Sequence, residues 1–198
     1  MSVVYLVRHG ETDWNRERRY QGNQDIPLND RGIEQAARLR HRLDREPLDV
    51  IFVSPLQRAR QTADILNADR RLPIEVLPLL RERSGGAWEG QLYSDLGAAS
   101  LEDMQRREVR EGIVPPGGET LAQVADRAEL AWAEVLRQGA ERTLVVAHNG
   151  FLHALIGRLL GMPLANYWQI KIDTCSLTIV EVRPDGPEFL TINETAHL

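Results

Sequence analysis

The sequence lacks a cysteine pair, a long apolar run and an obvious targeting segment. Its 198 residues include one cysteine, Cys175, so no disulfide can form within the chain, which fits a reducing compartment. No apolar run approaches the roughly 20 residues that cross a membrane. The first ten residues, MSVVYLVRHG, lack the basic start and cleavage pattern of a signal peptide. These absences predict a cytoplasmic protein that contacts no membrane.

The sequence also lacks a block of positive charge and a metal-binding pattern. Lysine and arginine number 24 against 29 acidic residues, which gives a net charge of −5 and predicts no nucleic-acid partner. No H-x-x-x-H spacing or Cys/His cluster indicates a metal site. Without repeats, linkers or low-complexity tracts, a chain of this length predicts one domain over residues 1–198.

Three short runs rich in β-branched residues carry the main structural signal. Runs of this kind are typical of strands buried on both faces of a parallel sheet, and they cover residues 3–7, 50–53 and 143–147. Residues 174–182 and 189–193, separated by Pro-Asp-Gly-Pro, predict a β-hairpin that adds an antiparallel edge.

Amphipathic segments alternate with these strands. Residues 33–43 place Ile33, Ala36, Leu39 and Leu43 on one stripe, and residues 121–136 show the same helical spacing. Thr120 and Gln123 predict a capping box at the start of the second helix. A charged helix is expected within the otherwise irregular residues 85–116. The predicted fold class is α/β: a three-layer α/β/α sandwich with a mostly parallel central sheet.

Each of the three strands ends on ionisable residues. The first runs into Arg8 and His9, the second into Ser54 and then Arg58, and the third into His148. Ligands of parallel sheets bind beyond the carboxyl ends of the strands, so these side chains should converge there. Ser54, with Pro55 and Gln57, predicts a helix start, and a further helix opens at residue 151 behind His148. Both helix N-termini are therefore expected to direct free N–H groups at an anion.

Two arginines beside a neutral imidazole suit one reaction in particular. The guanidinium groups can bind a tetrahedral oxyanion while the imidazole attacks its phosphorus. This requires His9 to keep a proton on its far ring nitrogen, most simply donated to a backbone carbonyl. A general acid must protonate the departing oxygen. Glu82 is the candidate, and Glu11 and Glu89 compete for that role.

Five sequence blocks carry a family resemblance in the family's order. They are RHGET at residues 8–12, SPLQRA at 54–59, LRE at 80–82, PGGET at 116–120 and VAH at 146–148. Together they resemble the histidine phosphatase superfamily, the phosphoglycerate-mutase-like proteins, and in particular its small phosphatases. The resemblance implies that His9 becomes phosphohistidine, that Glu82 donates the proton, and that no metal or cofactor takes part. It further implies that the phosphate or its substrate is contacted by Arg8, Asn15, Gln21, Gly22, Arg58 and His148.

One position departs from the family pattern. Where the family usually has His-Gly, this chain has His148-Asn149-Gly150. If the position needs a positive φ, asparagine tolerates it better than most residues. The backbone N–H of Asn149 is expected to remain available to phosphate, so Asn149 joins the predicted binding residues.

The favoured function is a metal-independent phosphomonoesterase for small phosphorylated metabolites. A cofactor-dependent mutase of the phosphoglycerate type is the first alternative, but residues 83–147 are short and contain no basic insertion. A non-catalytic module that binds phosphoryl ligands is the second. A complete set of Arg8, His9, Arg58, Glu82 and His148 favours an enzyme over that module. The expected partner is a small phosphorylated substrate such as a sugar phosphate, phosphoglycerate or α-ribazole phosphate, and the expected assembly is a monomer or homodimer.

Overall fold

The computed structural model of the protein describes residues 2–198, except for the side chains of residues 101, 102 and 105. Met1, which belongs to the predicted domain, lies outside the described residues. The strands are β1 (Ser2–Arg8), β2 (Val50–Val53), β3 (Ile74–Val76), β4 (Arg142–Ala147), β5 (Leu177–Arg183) and β6 (Gly186–Glu194). The α-helices are α1 (Asp13–Arg16), α2 (Asp30–Leu43), α3 (Gln57–Asn67), α4 (Leu101–Glu111), α5 (Leu121–Arg137) and α6 (Asn149–Leu159). Short 3-10 helices cover Pro78–Leu80, Gly86–Trp88 and Leu164–Gln169.

The strands form one sheet in the order β3-β2-β4-β1-β5-β6. Strands β1 to β4 are parallel, and β5 runs antiparallel to both β1 and β6. Alternate residues of β1 face opposite layers: Val4 and Leu6 pack with α5 and α6, whereas Tyr5 and Val7 pack with α2 and α3. The predicted three-layer sandwich with a mostly parallel sheet and an antiparallel edge is confirmed.

Helix α2 is rotated relative to its predicted stripe. Ala36, Leu39 and Leu43 are buried as expected, but Ile33 is 47% exposed. The prediction that Ile33 belongs to the core was therefore wrong. The buried side of the first turn is formed by Gly32, where an added Cβ would lie 2.1 Å from the carbonyl oxygen of Glu11. This close backbone approach turns Ile33 outward to solvent.

The sheet differs from its predicted form at both edges. Strand β3 was not predicted, because it has three residues, all exposed, at the end of the sheet. The hairpin is confirmed, but β5 begins at Leu177 rather than Thr174. Cys175 adopts a left-handed φ of 53°, which an extended strand does not tolerate. Its N–H instead donates to the carbonyl of Arg8.

The helix after β2 starts later than its sequence signal indicates. Gln57 is the first residue of α3, and Leu56 precedes it without a side-chain cap. The prediction that Ser54 caps this helix was therefore wrong. The Ser54 hydroxyl accepts from the N–H of Leu56 and faces the interior instead. The charged helix α4 and the capping box of α5 are both confirmed.

The register of the central strands brings the predicted site residues to one level. Arg8 pairs with Ala147, and Val53 pairs with Val146. Strands β1, β2 and β4 therefore end almost flush at the same edge of the sheet. The residues that follow them are His9, Ser54 and His148, and they meet there.

Replacement of Thr120 tests the cap that fixes the start of α5. Its hydroxyl accepts from the N–H of Gln123, whose side chain accepts from the N–H of Thr120. Thr120→Ala should lower the free energy of unfolding by about 1 kcal/mol, measured by urea denaturation. Thr120→Ser keeps the hydroxyl and should lose much less. Equal stability of the wild type and the alanine variant would contradict this account.

Candidate active site

A cavity opens at the carboxyl edge of the sheet. Eight of the nine predicted site residues line it: Arg8, His9, Asn15, Gln21, Gly22, Arg58, Glu82 and Asn149. The ninth, His148, is fully buried with its ring centroid 5.1 Å from that of His9. The structure thus brings together in one place residues from distant parts of the sequence.

His9 is held in one tautomer. Its Nδ1 lies 2.7 Å from the carbonyl oxygen of Gly10, and its Nε2 lies 3.2 Å from Nε of Arg58. Since a guanidinium can only donate, Nε2 must accept and Nδ1 must carry the proton. The expected hydrogen bond to a backbone carbonyl is confirmed, and the Nε2 lone pair accepts from Arg58, which also lines the cavity. Burial, followed by the charges of Arg58 and Arg8, holds the pKa of His9 well below its ordinary value.

Arg58 is fully buried on the first turn of α3. Besides His9, it donates to the carbonyl oxygens of Gln24 at 2.7 Å and Gly22 at 2.8 Å. Burial is the main reason that its pKa falls to about 10. The guanidinium therefore remains charged at neutral pH and is held in place by neutral carbonyl groups, which leaves its charge available to an anion.

His148 immediately precedes α6 and lies behind His9. Its Nε2 contacts the hydroxyl of Ser54 at 2.6 Å. Its Nδ1 is buried, and no hydrogen-bond partner is found for it among the described residues. Burial and the charge of Arg58 hold the pKa of His148 well below its usual value. A neutral imidazole whose Nε2 faces a serine can present N–H at Nδ1 to a phosphoryl oxygen.

Asn149 acts through its side chain. Its Oδ1 accepts from Nη1 of Arg8 at 3.2 Å, and the same Nη1 donates to the carbonyl of Ile172 at 2.6 Å. Asn149 is the first residue of α6, and its φ is not positive. The conformational reason considered for asparagine at this position therefore does not apply. The structure indicates that the side chain orients Arg8.

The residues Asn15, Gln21 and Gly22, which are predicted to contact phosphate, lie on α1 and on the loop that follows it. The side chain of Asn15 completes the capping box of Thr12, and Gln21 Oε1 lies 3.0 Å from the Thr12 hydroxyl. Gly22 has a φ of 51°, and an added Cβ would lie 2.1 Å from the Glu89 carboxylate. Only glycine fits there without displacing the carbonyl that binds Arg58.

Of the three carboxylates considered for the acid role, only Glu82 lines the cavity. Glu89 accepts from the N–H groups of Asn23 and Gly85. Glu11 accepts from the side chain of Asn29. All three carboxylates accept from N–H groups of the protein, but Glu82 alone among them lines the cavity, so it stays the predicted acid.

Carboxylates of the protein occupy part of the two helix N-termini. At α6, the N–H groups of Gly150 and Phe151 donate to the Glu82 carboxylate at 3.2 and 3.0 Å. At α3, the N–H of Gln57 donates to Asp25 at 2.6 Å. The expectation of free N–H groups was therefore wrong for Gln57, Gly150 and Phe151, and Glu82, which accepts two of them, is also the candidate acid. The availability of the Asn149 N–H to phosphate stays a prediction.

Several cavity residues have no clear signal in the sequence. Tyr20, Arg83 and Tyr93 line the cavity although they follow no strand. Ser54 has its signal in SPLQRA, but the sequence indicated a helix cap rather than a contact to His148. The positions of these residues depend on loop packing, which side-chain patterns do not encode.

Two kinds of feature are absent from the described part of the chain. No group of three or more His, Cys, Asp or Glu side chains there is arranged to hold a metal ion. No helix there is long and apolar enough to cross a membrane.

Comparison with known proteins identifies the family. The family model of the histidine phosphatase superfamily, branch 1, matches residues 4–195. The chain belongs to this superfamily. The adenosylcobalamin/alpha-ribazole phosphatase of Escherichia coli K12 is 32% identical over 195 residues, which are 98% of this chain and 96% of the relative. Phosphoserine phosphatase 1 of Hydrogenobacter thermophilus is 34% identical over 200 residues, covering 100% and 95%.

Solved structures agree with the family match. YhfR of Bacillus stearothermophilus superimposes with a TM-score of 0.90 at 32% identity, and the match covers 100% of this chain and 99% of that one. Membership of the histidine phosphatase superfamily and a fold like that of phosphoglycerate mutase are therefore both confirmed.

The low pKa of His9 makes stability depend on pH. In the unfolded chain, His9 binds a proton as the pH falls through its ordinary value near 6.5, but in the folded chain it does not. Proton binding by the unfolded chain favours unfolding. This effect is absent above about pH 7.5, and it progressively lowers the free energy of unfolding as the pH falls toward about 5.5. We expect His9→Asn to lose less stability than the wild type between these pH values, measured by urea denaturation. Equal losses would contradict the buried, neutral imidazole.

Proposed function

We propose that the protein is a phosphomonoesterase in which His9 carries the phosphoryl group. The observation that carries the proposal is the fixed tautomer of His9, with Nδ1 bound to Gly10 and Nε2 facing the cavity beside Arg58. A neutral nucleophile surrounded by positive charge is suited to attack on a phosphate dianion. The phosphatase names of the two relatives described above support the same class of reaction.

In the first step, Nε2 of His9 forms a bond to phosphorus as the bond from phosphorus to the alcohol oxygen breaks. Glu82 gives its proton to that oxygen, so the alcohol leaves neutral. Arg8, Arg58 and Nδ1 of His148 stabilise the charge spread over the phosphoryl oxygens. Asn15, Gln21, Gly22 and Asn149 border the same space and complete the proposed binding site.

In the second step, water attacks the phosphorus of phosphohistidine. The Glu82 carboxylate takes a proton from the water, and the bonding electrons of the N–P bond return to Nε2 of His9. Phosphate leaves, and Glu82 is protonated again for the next cycle. Both proton transfers use the side chain of Glu82, so we propose that no metal ion is needed.

Replacement of His9 tests the nucleophile. His9→Ala should lower kcat for p-nitrophenyl phosphate by about a thousandfold or more, because no covalent intermediate can form. Acid-labile, base-stable phosphate on the wild-type chain after rapid quenching should be absent from the variant. EDTA should leave wild-type activity unchanged. His41→Ala, at an exposed position of α2, is the control. Full activity of His9→Ala would refute the assignment, and loss of activity in EDTA would refute the metal-free mechanism.

The mutase alternative differs in the acceptor of the phosphoryl group. With 3-phosphoglycerate, a phosphatase releases inorganic phosphate, whereas a mutase forms 2-phosphoglycerate and depends on its bisphosphate primer. We expect phosphate release that the primer does not stimulate.

A monomeric or homodimeric state and a cytoplasmic location stay predictions.

The mouth of the site indicates the chemistry of the alcohol. A second cavity adjoins the first through Arg8, Asn15, Tyr93 and Asn149, and it also exposes Arg18. No carboxylate is found among its lining side chains in the described part of the chain. Arg18 is exposed with a left-handed φ of 56°, and its carbonyl accepts from the N–H of Tyr93. This positive mouth favours a substrate whose alcohol carries a second anionic group.

Substrate pairs that differ in one carboxylate test this preference. Arg18→Ala should raise KM for 3-phosphoglycerate about fivefold, as expected for an exposed ion pair of about 1 kcal/mol. It should leave KM for glycerol 3-phosphate unchanged. Arg16→Ala is the matched control. Arg16 lies two residues before Arg18 in the sequence, but its side chain is paired with Asp13. An equal effect of Arg18→Ala on both substrates would contradict the proposed contact.

A further inference from the structure

The segment that carries Glu82 is held by an arginine outside the cavity. Arg127, on α5, is 7% exposed, and each of the five N–H groups of its guanidinium has an acceptor. Nη1 donates to the carbonyl oxygens of Leu79 and Arg81, both at 2.8 Å. Nη2 reaches the carbonyl of Glu82 itself at 3.3 Å. The two remaining contacts, from Nε and Nη2, go to the carboxylate of Glu119 at 2.9 and 2.8 Å.

Glu119 holds the same segment from its other end. Its carboxylate accepts from the N–H of Ser84 at 2.9 Å, and its own N–H donates to the carbonyl of Ser84. Its carbonyl accepts from Nε of Arg83 at 2.7 Å. Burial opposes ionisation of Glu119, but the hydrogen bonds from Arg127 and Ser84 outweigh it and lower its pKa. The Arg127–Glu119 pair therefore stays ionised at neutral pH.

Neither Arg127 nor Glu119 is among the described residues that line the cavity. Their contacts fall on the backbone of residues 79–84, and Glu82 lies within this span. The carboxylate of Glu82 is in turn directed by the N–H groups of Gly150 and Phe151. A shift of its backbone would therefore move the acid relative to the fixed start of α6.

We infer that Arg127 and Glu119 are positioning residues for Glu82, holding the backbone from which it reaches the departing oxygen. The inference rests on the proposed role of Glu82 as proton donor. The reacting proton passes from Glu82 to the alcohol, so the inferred effect of the pair on the rate acts through the geometry of that transfer.

This role predicts an effect that depends on the leaving group. The p-nitrophenolate ion leaves readily without a proton, whereas an alkoxide must be protonated as it departs. In single-turnover experiments, Arg127→Lys and Glu119→Gln should lower the rate of alcohol release from glycerol 3-phosphate, the step in which Glu82 donates its proton, about tenfold or more. For p-nitrophenyl phosphate, the same variants should change the single-turnover rate of p-nitrophenolate release by less than about threefold. A residue that merely stabilises the fold would lower both rates alike.

Glu82→Gln and Arg137→Lys provide the two reference patterns. Glu82→Gln should show the same selective loss with the alkyl ester. Arg137 lies on the same helix and also forms a bidentate pair, with Glu134 at 2.9 and 2.7 Å, but this pair is on the surface. Arg137→Lys should change neither rate. Circular dichroism establishes that each variant is folded before its rates are compared.

Each outcome decides the inference. Selective loss in folded Arg127→Lys or Glu119→Gln supports it. Equal losses on both substrates, no loss, or failure of both variants to fold would overturn it in favour of a structural role. If Glu82→Gln itself shows no selectivity, the acid assignment under the proposed function is wrong, and the inference falls with it. A selective Glu82→Gln beside non-selective Arg127 and Glu119 variants would refute the positioning role alone.

Discussion

The site depends on the buried contact between Arg58 and His9. A guanidinium in the protein interior is costly unless its donors are satisfied, and here two carbonyl oxygens and an imidazole accept from three of its five N–H groups. None of these three partners is a carboxylate, so the contact places a positive charge beside the neutral imidazole that we propose as the nucleophile. It also fixes the tautomer of His9, because the arginine can only donate. Charge and nucleophile are thus set by one interaction, before any ligand is bound.

Two different structural arrangements place the proposed catalytic groups. The regular part of the fold places His9 and His148 just after parallel strands and Arg58 on the first turn of α3, where backbone hydrogen bonds fix the chain. Glu82 comes from an irregular segment that has no strand partner of its own. Its position depends instead on side chains, through the Arg127–Glu119 pair, and on the first N–H groups of α6. The proposed acid is therefore held by tertiary contacts, whereas the proposed nucleophile is held by secondary structure.

This difference explains how much the sequence could predict. The strands, the capping box at Thr120 and the residues after each strand follow from local patterns, and the predicted fold is confirmed. The same patterns misplaced Ile33, because the rotation of α2 is set by a close backbone approach at Gly32. They also assigned Ser54 to a helix cap, whereas it faces His148 across 94 residues of sequence. Contacts between distant segments of the chain leave no periodic signal, so the cavity residues Tyr20, Arg83 and Tyr93 were not predicted.

The register between β1 and β4 determines whether the site forms during folding. Arg8 pairs with Ala147, and a slip of one residue would displace one strand end by about 3.3 Å and reverse the faces of its side chains. The anion-binding constellation therefore exists only when the two halves of the chain have found their single correct alignment. Any oxyanion that binds there selects the fully assembled sheet over every misaligned or partly folded form. Phosphate, the product of the reaction, would thus also act as a ligand that stabilises the native state of its own catalyst.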